Sequence, residues 1–239
     1  FTASDKPALE KYLSVELIKN NNPFITAQFG FGKVNHTGRI DTATLIRHYK
    51  QFLIAQNSYK SETFDCNNLK VKQASIGYND LIAKHIVFAE GFGMMTNPFF
   101  NELPLNVAKG EVITIKAPEL KIDFMLKSSV FVVPEGNDLY SVGATYNWKD
   151  KTHQITTEAR SELVSNLKEL ITCDFEVVDQ RAGIRPTVKD RRTLVGSNPL
   201  QKQVAILNGL GTRGVRITPD VPKALYDRLE NRITLANEI

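Results

Sequence analysis

Apolar and polar positions recur along this chain with two periods, and the changes of period mark its elements. Leu9, Tyr12, Leu13 and Leu17 fall three or four residues apart. That spacing predicts a first helix, capped by Ser4 with Pro7 in its first turn, and Asn20-Asn21-Asn22-Pro23 ends it. Residues 24–31 are apolar enough for a strand, with Gly30 and Gly32 marking a turn or a close approach of backbone. Asp41 or Thr42 caps a second helix in which Leu45, Ile46, Tyr49, Phe52 and Leu53 form one stripe, expected to face the core. From Tyr59 the period shortens to that of strands: 58–64, 70–76, the turn Gly77-Tyr78-Asn79-Asp80, and 81–89. Residues 106–117 and a hairpin over 129–146, turning at Glu135-Gly136-Asn137-Asp138, predict antiparallel sheet. Thr156 or Thr157 then opens an amphipathic helix whose Leu163, Val164, Leu167, Leu170 and Ile171 share a face expected to cover that sheet. Residues 175–185 return as a strand. Beyond a loop and a short strand at Leu194 and Val195, the strand 204–207 runs through a glycine-rich turn into a final helix.

Three places in this pattern carry candidate chemistry. The turn Asn208-Gly209-Leu210-Gly211-Thr212-Arg213-Gly214 reads G-x-G-x-x-G between a strand and a helix, where glycines let backbone amides approach an anion at a helix start. An ordinary dinucleotide fingerprint also needs a later parallel strand with an acidic end. The chain stops at Ile239, so this turn closes a nucleotide-binding fold rather than opening one, or is a helix entry without a ligand. Ala89 and Gly91 stand where a buried strand emerges, the edge at which α/β sheets bind ligands; a plain tight turn is the alternative. In 175–185 the two-residue alternation puts Arg181, Gly183 and Arg185 on one face, either an anion pocket or an exposed basic surface.

Composition narrows the class. At 239 residues, with 42% hydrophobic and 23% charged positions, the chain is an ordinary globular one of one or two domains. No apolar run reaches a membrane span and no leader pattern is present, which makes a cytoplasmic location the expectation. Cys66 and Cys173 make no disulfide framework, and His36, His48, His85 and His153 are too dispersed for a metal site, so none is expected. The net charge of +4 is scattered rather than clustered, which argues against nucleic acid as a partner. The first residue is Phe1 rather than Met, which points to an upstream portion.

Several spaced stretches then fall in the order of one family: Ala89-x-Gly91, Lys109-Gly110-Glu111, Val142-Gly143-Ala144-Thr145, Ala182-Gly183-Ile184-Arg185-Pro186 with Asp190 and Gly196, and the Gly209–Gly214 turn with Pro219. Over nearly the whole chain from about Gly38 it resembles the FAD-dependent amine and amino-acid oxidoreductases of the D-amino-acid oxidase type, particularly the glycine and sarcosine oxidase-like branch. The family's opening strand with its own glycine fingerprint is not among these residues. The resemblance implies a mixed α+β fold, in which an antiparallel substrate-domain sheet with a helix layer is interleaved with an incomplete FAD-binding, Rossmann-like domain. The pieces expected are 1–37 and 100–186 in the substrate domain, and 38–99 and 187–239 in the FAD domain. It also implies that Gly209, Gly211, Thr212, Arg213 and Gly214 face the flavin ring and that Ala89 and Gly91 pass close to the cofactor's diphosphate. Arg185 matches the arginine that grips a substrate carboxylate, and Tyr146 is placed in the substrate cage. The expected reaction is oxidation of the C–N bond of a small amine or amino acid, by hydride transfer to flavin N5, with hydrolysis of the resulting imine. The alternatives are the oxidase module of a tRNA-modifying enzyme and a non-catalytic interaction domain. No catalytic acid–base residue is expected, because the flavin carries the electronic chemistry. Arg181 departs from the family pattern, which usually has an aromatic or small residue there. Lacking the family's opening, the fragment is expected to hold little FAD, to be inactive alone and to be capable of self-association.

Overall fold

Five antiparallel strands form the largest sheet of the protein. In the computed structural model, which describes residues 7–235, these strands are β5 (Ala108–Lys116), β6 (Leu126–Lys127), β7 (Phe131–Gly136), β8 (Leu139–Gly143) and β9 (Glu176–Arg185), in the order β6-β7-β8-β5-β9. The hairpin between β7 and β8 turns through Asn137 and Asp138, both at positive φ, as a two-residue turn matched to strand twist requires. The register pairs Ala108 with Arg185, Gly110 with Gly183 and Val112 with both Arg181 and Gly143. Because paired residues share a face, the sheet has two unlike sides. Ile113, Ile115, Val132, Tyr140 and Val142 lie on one side and are buried, whereas Val112, Phe131, Arg181, Gly183 and Arg185 lie on the other and are half-buried or exposed. Helix α2 (Thr157–Leu170) starts from the buried side, and its Ala159, Leu163 and Leu167 are themselves buried. Thr156 is its cap, its hydroxyl accepting from the Ala159 N–H at 3.3 Å.

Two smaller sheets belong to the same compact unit, which comprises 65–167 and 175–235. β1 (Leu69–Val71), β2 (Ile76–Tyr78) and β3 (Leu81–Ala83) form an antiparallel meander. β4 (Ile86–Phe88) runs parallel to β11 (Val204–Asn208), and β10 (Leu194–Ser197) pairs antiparallel with β11. The single strand expected over 81–89 is therefore two strands in different sheets, divided at Lys84 and His85. Lys84 reaches solvent and the Glu230 carboxylate at 3.1 Å, and β3 is exposed along its length. Ile76, Phe88, Met94, Phe100, Val204 and Ile206 pack as one apolar cluster between these sheets. The expected final helix is broken too: a 3-10 turn (Gly211–Arg213) leads into α3 (Gly214–Ile217) and then α4 (Asp220–Asn231). Pro219 lies at the break, where it has no N–H to continue the ladder.

The other compact unit comprises residues 7–64 with 168–174. Among the described residues its one long helix is α1 (Thr42–Ala55), capped by Asp41, whose carboxylate accepts from the Thr44 N–H at 3.0 Å. The stripe on α1 was expected in the core and is not there: none of its residues is buried, and Ile46 and Tyr49 are 68% and 60% exposed. The helix expected from the Leu9, Tyr12, Leu13, Leu17 spacing is a single 3-10 turn (Pro7–Leu9) followed by antiparallel bridges, Leu13 to Val34 and Ile18 to Phe31. Ser14 is the local reason, since its hydroxyl donates to the Glu16 carbonyl and accepts from the Lys33 N–H, offering the backbone a non-helical alternative. The Ser4 cap lies outside the described residues. Of the strand expected over 24–31, Ile25 bridges to Ile171 and Phe31 to Ile18, while 58–64 forms no strand. Gly30, at φ +84°, passes so close to Ile18 that a Cβ would sit 2.3 Å from its carbonyl oxygen.

Among the described residues no helix is long and apolar enough to cross a membrane, and no group of three His, Cys, Asp or Glu side chains could hold a metal ion.

Candidate functional site

The open side of the five-stranded sheet ends in an arginine seated on a glycine. Arg185 closes β9, and its guanidinium lies across the backbone of Gly110 on β5, so that a Cβ there would meet both terminal nitrogens at 2.1 Å. One N–H donates to the Thr145 carbonyl at 3.3 Å. The ring of Tyr146 also covers the group, its centroid 4.3 Å from the guanidinium carbon, a cation–π contact worth about 0.5–2 kcal/mol. Arg185 and Tyr146, named separately from the sequence, thus form one unit. Arg181 shares their face through the register but pairs with Asp179 at 3.4 Å, both side chains being more than half exposed, where screening leaves such a pair little weight.

The segment that follows β8 carries Tyr146 alongside β5. Glu111 donates its N–H to the Thr145 hydroxyl at 2.9 Å and accepts the Thr145 N–H on its carbonyl, and Lys109 and Asn147 exchange both backbone bonds. Gly110 lies between these anchors. On the buried side of β5, the same two residues build an ionic cluster. Lys109, 1% exposed, places Nζ 2.6 Å from Asp150 Oδ2 and 3.4 Å from Glu111 Oε1, and also donates to the Gln154 carbonyl. Glu111 accepts the Thr156 N–H at 2.9 Å, the Thr156 hydroxyl at 2.8 Å and the Gln180 amide at 2.8 Å. Burial pushes the Glu111 carboxyl up, but these bonds and Lys109 outweigh it and hold the group below its ordinary range. Burial pulls Lys109 down, yet the hydrogen bonds and charges of Asp150 and Glu111 hold it above its ordinary value. Asp150 is drawn down to about 2, first by the Lys109 hydrogen bond and then by those from Thr152. All three groups are charged at neutral pH.

A second cluster stands at the carboxyl ends of the parallel pair β4 and β11, the edge at which such sheets take ligands. Ala89 and Gly91 leave β4 there, and the Gly209–Gly214 turn leaves β11. Gly91, Gly209 and Gly211 hold φ of +59°, +70° and +57°, values that glycine adopts without a steric penalty. Asn208, 3% exposed, ties the two exits together: its amide donates to the Gly91 carbonyl at 2.8 Å, and its oxygen accepts the Gly209 N–H at 2.8 Å. The residue after Arg185 joins this edge to the sheet, since the Pro186 carbonyl accepts the Gly211 N–H at 3.0 Å and its ring lies 3.9 Å from where a Gly91 Cβ would be. Arg213 turns away and donates to the Arg191 carbonyl. Thr212 and Gly214 complete the short 3-10 and α turns.

Two sets of side-chain ties go beyond what the sequence pattern showed. Asn208 could have been found, as an asparagine directly before a left-handed glycine. Lys109 and Glu111 were visible as a motif, but their partners Asp150, Thr156 and Gln180 are distant in sequence and no spacing connects them.

The FAD dependent oxidoreductase family model matches residues 32–225, more than half of the chain. Among curated proteins, the bifunctional tRNA 5-methylaminomethyl-2-thiouridine biosynthesis protein of Campylobacter jejuni is 28% identical over 145 residues, which cover 59% of this chain and 22% of that protein. The glycine oxidase of Bacillus subtilis is 24% identical over 160 residues, covering 64% of this chain and 43% of the oxidase. Two solved structures share the fold: iminodiacetate oxidase from Chelativorans (TM-score 0.66, 18% identity, 88% of this chain and 59% of that one) and glycine oxidase from Geobacillus kaustophilus (TM-score 0.64, 19% identity, 88% and 60%). The chain spans less than two thirds of the length of each of these proteins. Its mixed helix and sheet architecture, and a family match running from the first unit through the glycine-rich turn, lead to one conclusion: the chain belongs to the FAD dependent oxidoreductase family.

Proposed function

We propose that the protein oxidises the C–N bond of an amine that bears a carboxylate, and that Arg185 is the group that holds this carboxylate. The observation that carries the reading is the seated guanidinium. Arginine presents five N–H donors in a fixed fork, and the Thr145 carbonyl uses one while Gly110 and Tyr146 fix the plane of the group. The others can be turned to a carboxylate bidentately, as a lysine could not do. Holding the substrate by that end fixes where its C–N bond lies, and such alignment lowers a barrier by several kcal/mol. Tyr146 excludes water from one side of the pair.

The glycine turn after β11 fits the approach of the flavin ring, and Ala89 and Gly91 leave room for the diphosphate of FAD. Left-handed glycines at Gly91, Gly209 and Gly211 keep side chains away from the edge, Ala89 is small, and Asn208 locks the two strand exits in place. Thr212 and Gly214 would line the same approach. Gly211 contributes shape rather than a donor, since Pro186 takes its N–H, and Arg213 acts by bracing the loop at Arg191. FAD, when bound, supplies the acceptor of two electrons, while the protein supplies binding, orientation and electrostatics.

A second reading is the oxidase part of a tRNA-modifying protein, favoured by the similarity to the Campylobacter tRNA 5-methylaminomethyl-2-thiouridine biosynthesis proteins at 26–28% identity. Both readings use the same Arg185. The test is an oxidation assay of the full-length protein with FAD on glycine, sarcosine and iminodiacetate, and separately on tRNA bearing a carboxymethylamino-type side chain. Arg185→Lys is expected to raise KM for the accepted substrate about tenfold or more, from loss of a charge-assisted pair. Unchanged kinetics in that variant would remove Arg185 from the site, and turnover of tRNA alone would select the second reading.

A further inference from the structure

We infer that Lys109 is a positioning residue for Arg185: together with Asp150 it clamps the segment that carries Tyr146, so that the ring closes over the guanidinium. The inference rests on reading Arg185 as the carboxylate-binding group, and it assigns a purpose to charges that reading leaves unused.

The Lys109-Gly110-Glu111 stretch has three side positions on one strand, which alternate in direction. Gly110 faces the open side and makes the seat of Arg185, while Lys109 and Glu111 face the buried side. Burying a lysine costs free energy unless it is paired and hydrogen-bonded. Lys109 meets that cost with three partners: Asp150 at 2.6 Å, Glu111 at 3.4 Å and the Gln154 carbonyl. Two of these belong to the segment directly after Tyr146. The near end of that segment is pinned by the paired backbone bonds of Lys109 and Asn147, and Asn147 Oδ1 accepts the N–H groups of Lys149 and Asp150. Its far end is pinned by Glu111 on Thr156. Asp150 in turn holds the Thr152 N–H and hydroxyl at 2.8 Å each. The segment has no strand or helix between 148 and 156 apart from these ties. Without the Lys109 to Asp150 pair, the middle of the segment keeps only the Lys109 bond to the Gln154 carbonyl as a tie to β5, and Tyr146 loses part of the support that keeps its ring on Arg185.

The readout is the Arg185 Nε–H resonance of the 239-residue chain, which the Tyr146 ring displaces from the position of an unstacked arginine. Arg185→Lys assigns the signal and Tyr146→Leu gives its unstacked position. In Asp150→Ala the signal is expected to move to the Tyr146→Leu position, while the amide signals of Ile113 and Val142 in the sheet stay in place. Asp150→Glu, which restores a carboxylate, is expected to return it towards the wild-type position. Should Asp150→Ala fail to fold, Asp150→Asn keeps the turn around Thr152 without the charge, and the same displacement is expected. An Arg185 signal that stays at its wild-type position in the folded variant would overturn the inference, as would Asp150→Glu behaving like Asp150→Ala. No substrate is present in this measurement, so a failure of the carboxylate reading shows in the kinetics of Arg185→Lys and leaves this readout as it is.

Discussion

Gly110 shows how one missing side chain can seat a charged one. Its backbone is ordinary strand, so nothing in its conformation demands glycine; the demand comes from the Arg185 nitrogens, which occupy the place of a Cβ. Gly110→Ala should therefore leave the stability of the fold within about 1 kcal/mol, because the clashing atoms are the far end of a flexible side chain and alanine suits an extended strand no worse. It should nevertheless push the guanidinium off its seat. The expected kinetic result is a KM about tenfold to a hundredfold higher for a carboxylate substrate, the size of one or two weakened charge-assisted bonds. A melting temperature that falls sharply, or a KM that stays put, would show that the seat is not what Gly110 provides. That Arg185 lies on the open face of β9 was legible from alternation, and that Tyr146 follows the Gly143-Ala144-Thr145 stretch was plain from the sequence. Their stacking was not, because it depends on the register of β5 with the segment after β8. The same holds for the buried Lys109, whose partners lie 41 and 45 residues away.

Elements divide by whether their apolar period has a partner. α2 and α1 both show stripes of helical spacing, and the sequence treats them alike. The stripe on α2 is buried through Leu163 and Leu167, while that on α1 exposes Leu45, Ile46, Tyr49 and Phe52. Periodicity reports that a helix is two-faced; it cannot report what covers the apolar face. Leu163→Ala should cost about 2–5 kcal/mol in the 239-residue chain, as removal of a fully buried leucine does. Phe52→Ser, at an exposed position, should stay within about 0.5 kcal/mol. Urea denaturation of the two variants separates the cases, and a large loss from Phe52→Ser would show that α1 is covered in solution. The helices and strands of the large sheet, by contrast, were legible nearly to their ends, because one-sided burial imposes strict alternation on β5, β7 and β8. The short strands were not. β6 has two residues, and 81–89 is one apolar run that two sheets share, a division for which the run contains no break stronger than Lys84 and His85.

At the scale of the whole molecule, the question is how much of a cofactor site these residues make. The interleaving of an antiparallel sheet with a parallel pair was legible from the change of period. The meeting of the Pro186 carbonyl with Gly211, which brings the arginine beside the glycine edge, was not, because it joins the ends of elements from different sheets. What this edge would offer FAD is shape and backbone. The chain contains a single G-x-G-x-x-G, in the turn after β11, and the neighbours of β11 are the parallel β4 and the antiparallel β10. A dinucleotide's pyrophosphate is ordinarily held by a glycine turn that opens a βαβ unit, with the ribose on the acidic end of the following strand. No such unit is formed among the described residues. The 239-residue chain should accordingly bind FAD no more tightly than riboflavin, since Ala89 and Gly91 leave room beside the diphosphate but bring no charged side chain to it, and among the described residues no acidic strand end is there for the ribose. Each charge-assisted bond to a diphosphate is worth about 1.5–3 kcal/mol, so two or three of them would separate the two ligands by more than a hundredfold. Titrating the purified chain with each flavin and following its absorbance decides the matter: equal, weak binding is expected, whereas a yellow protein as isolated, or FAD favoured by two orders of magnitude over riboflavin, would mean that these residues hold the diphosphate as well.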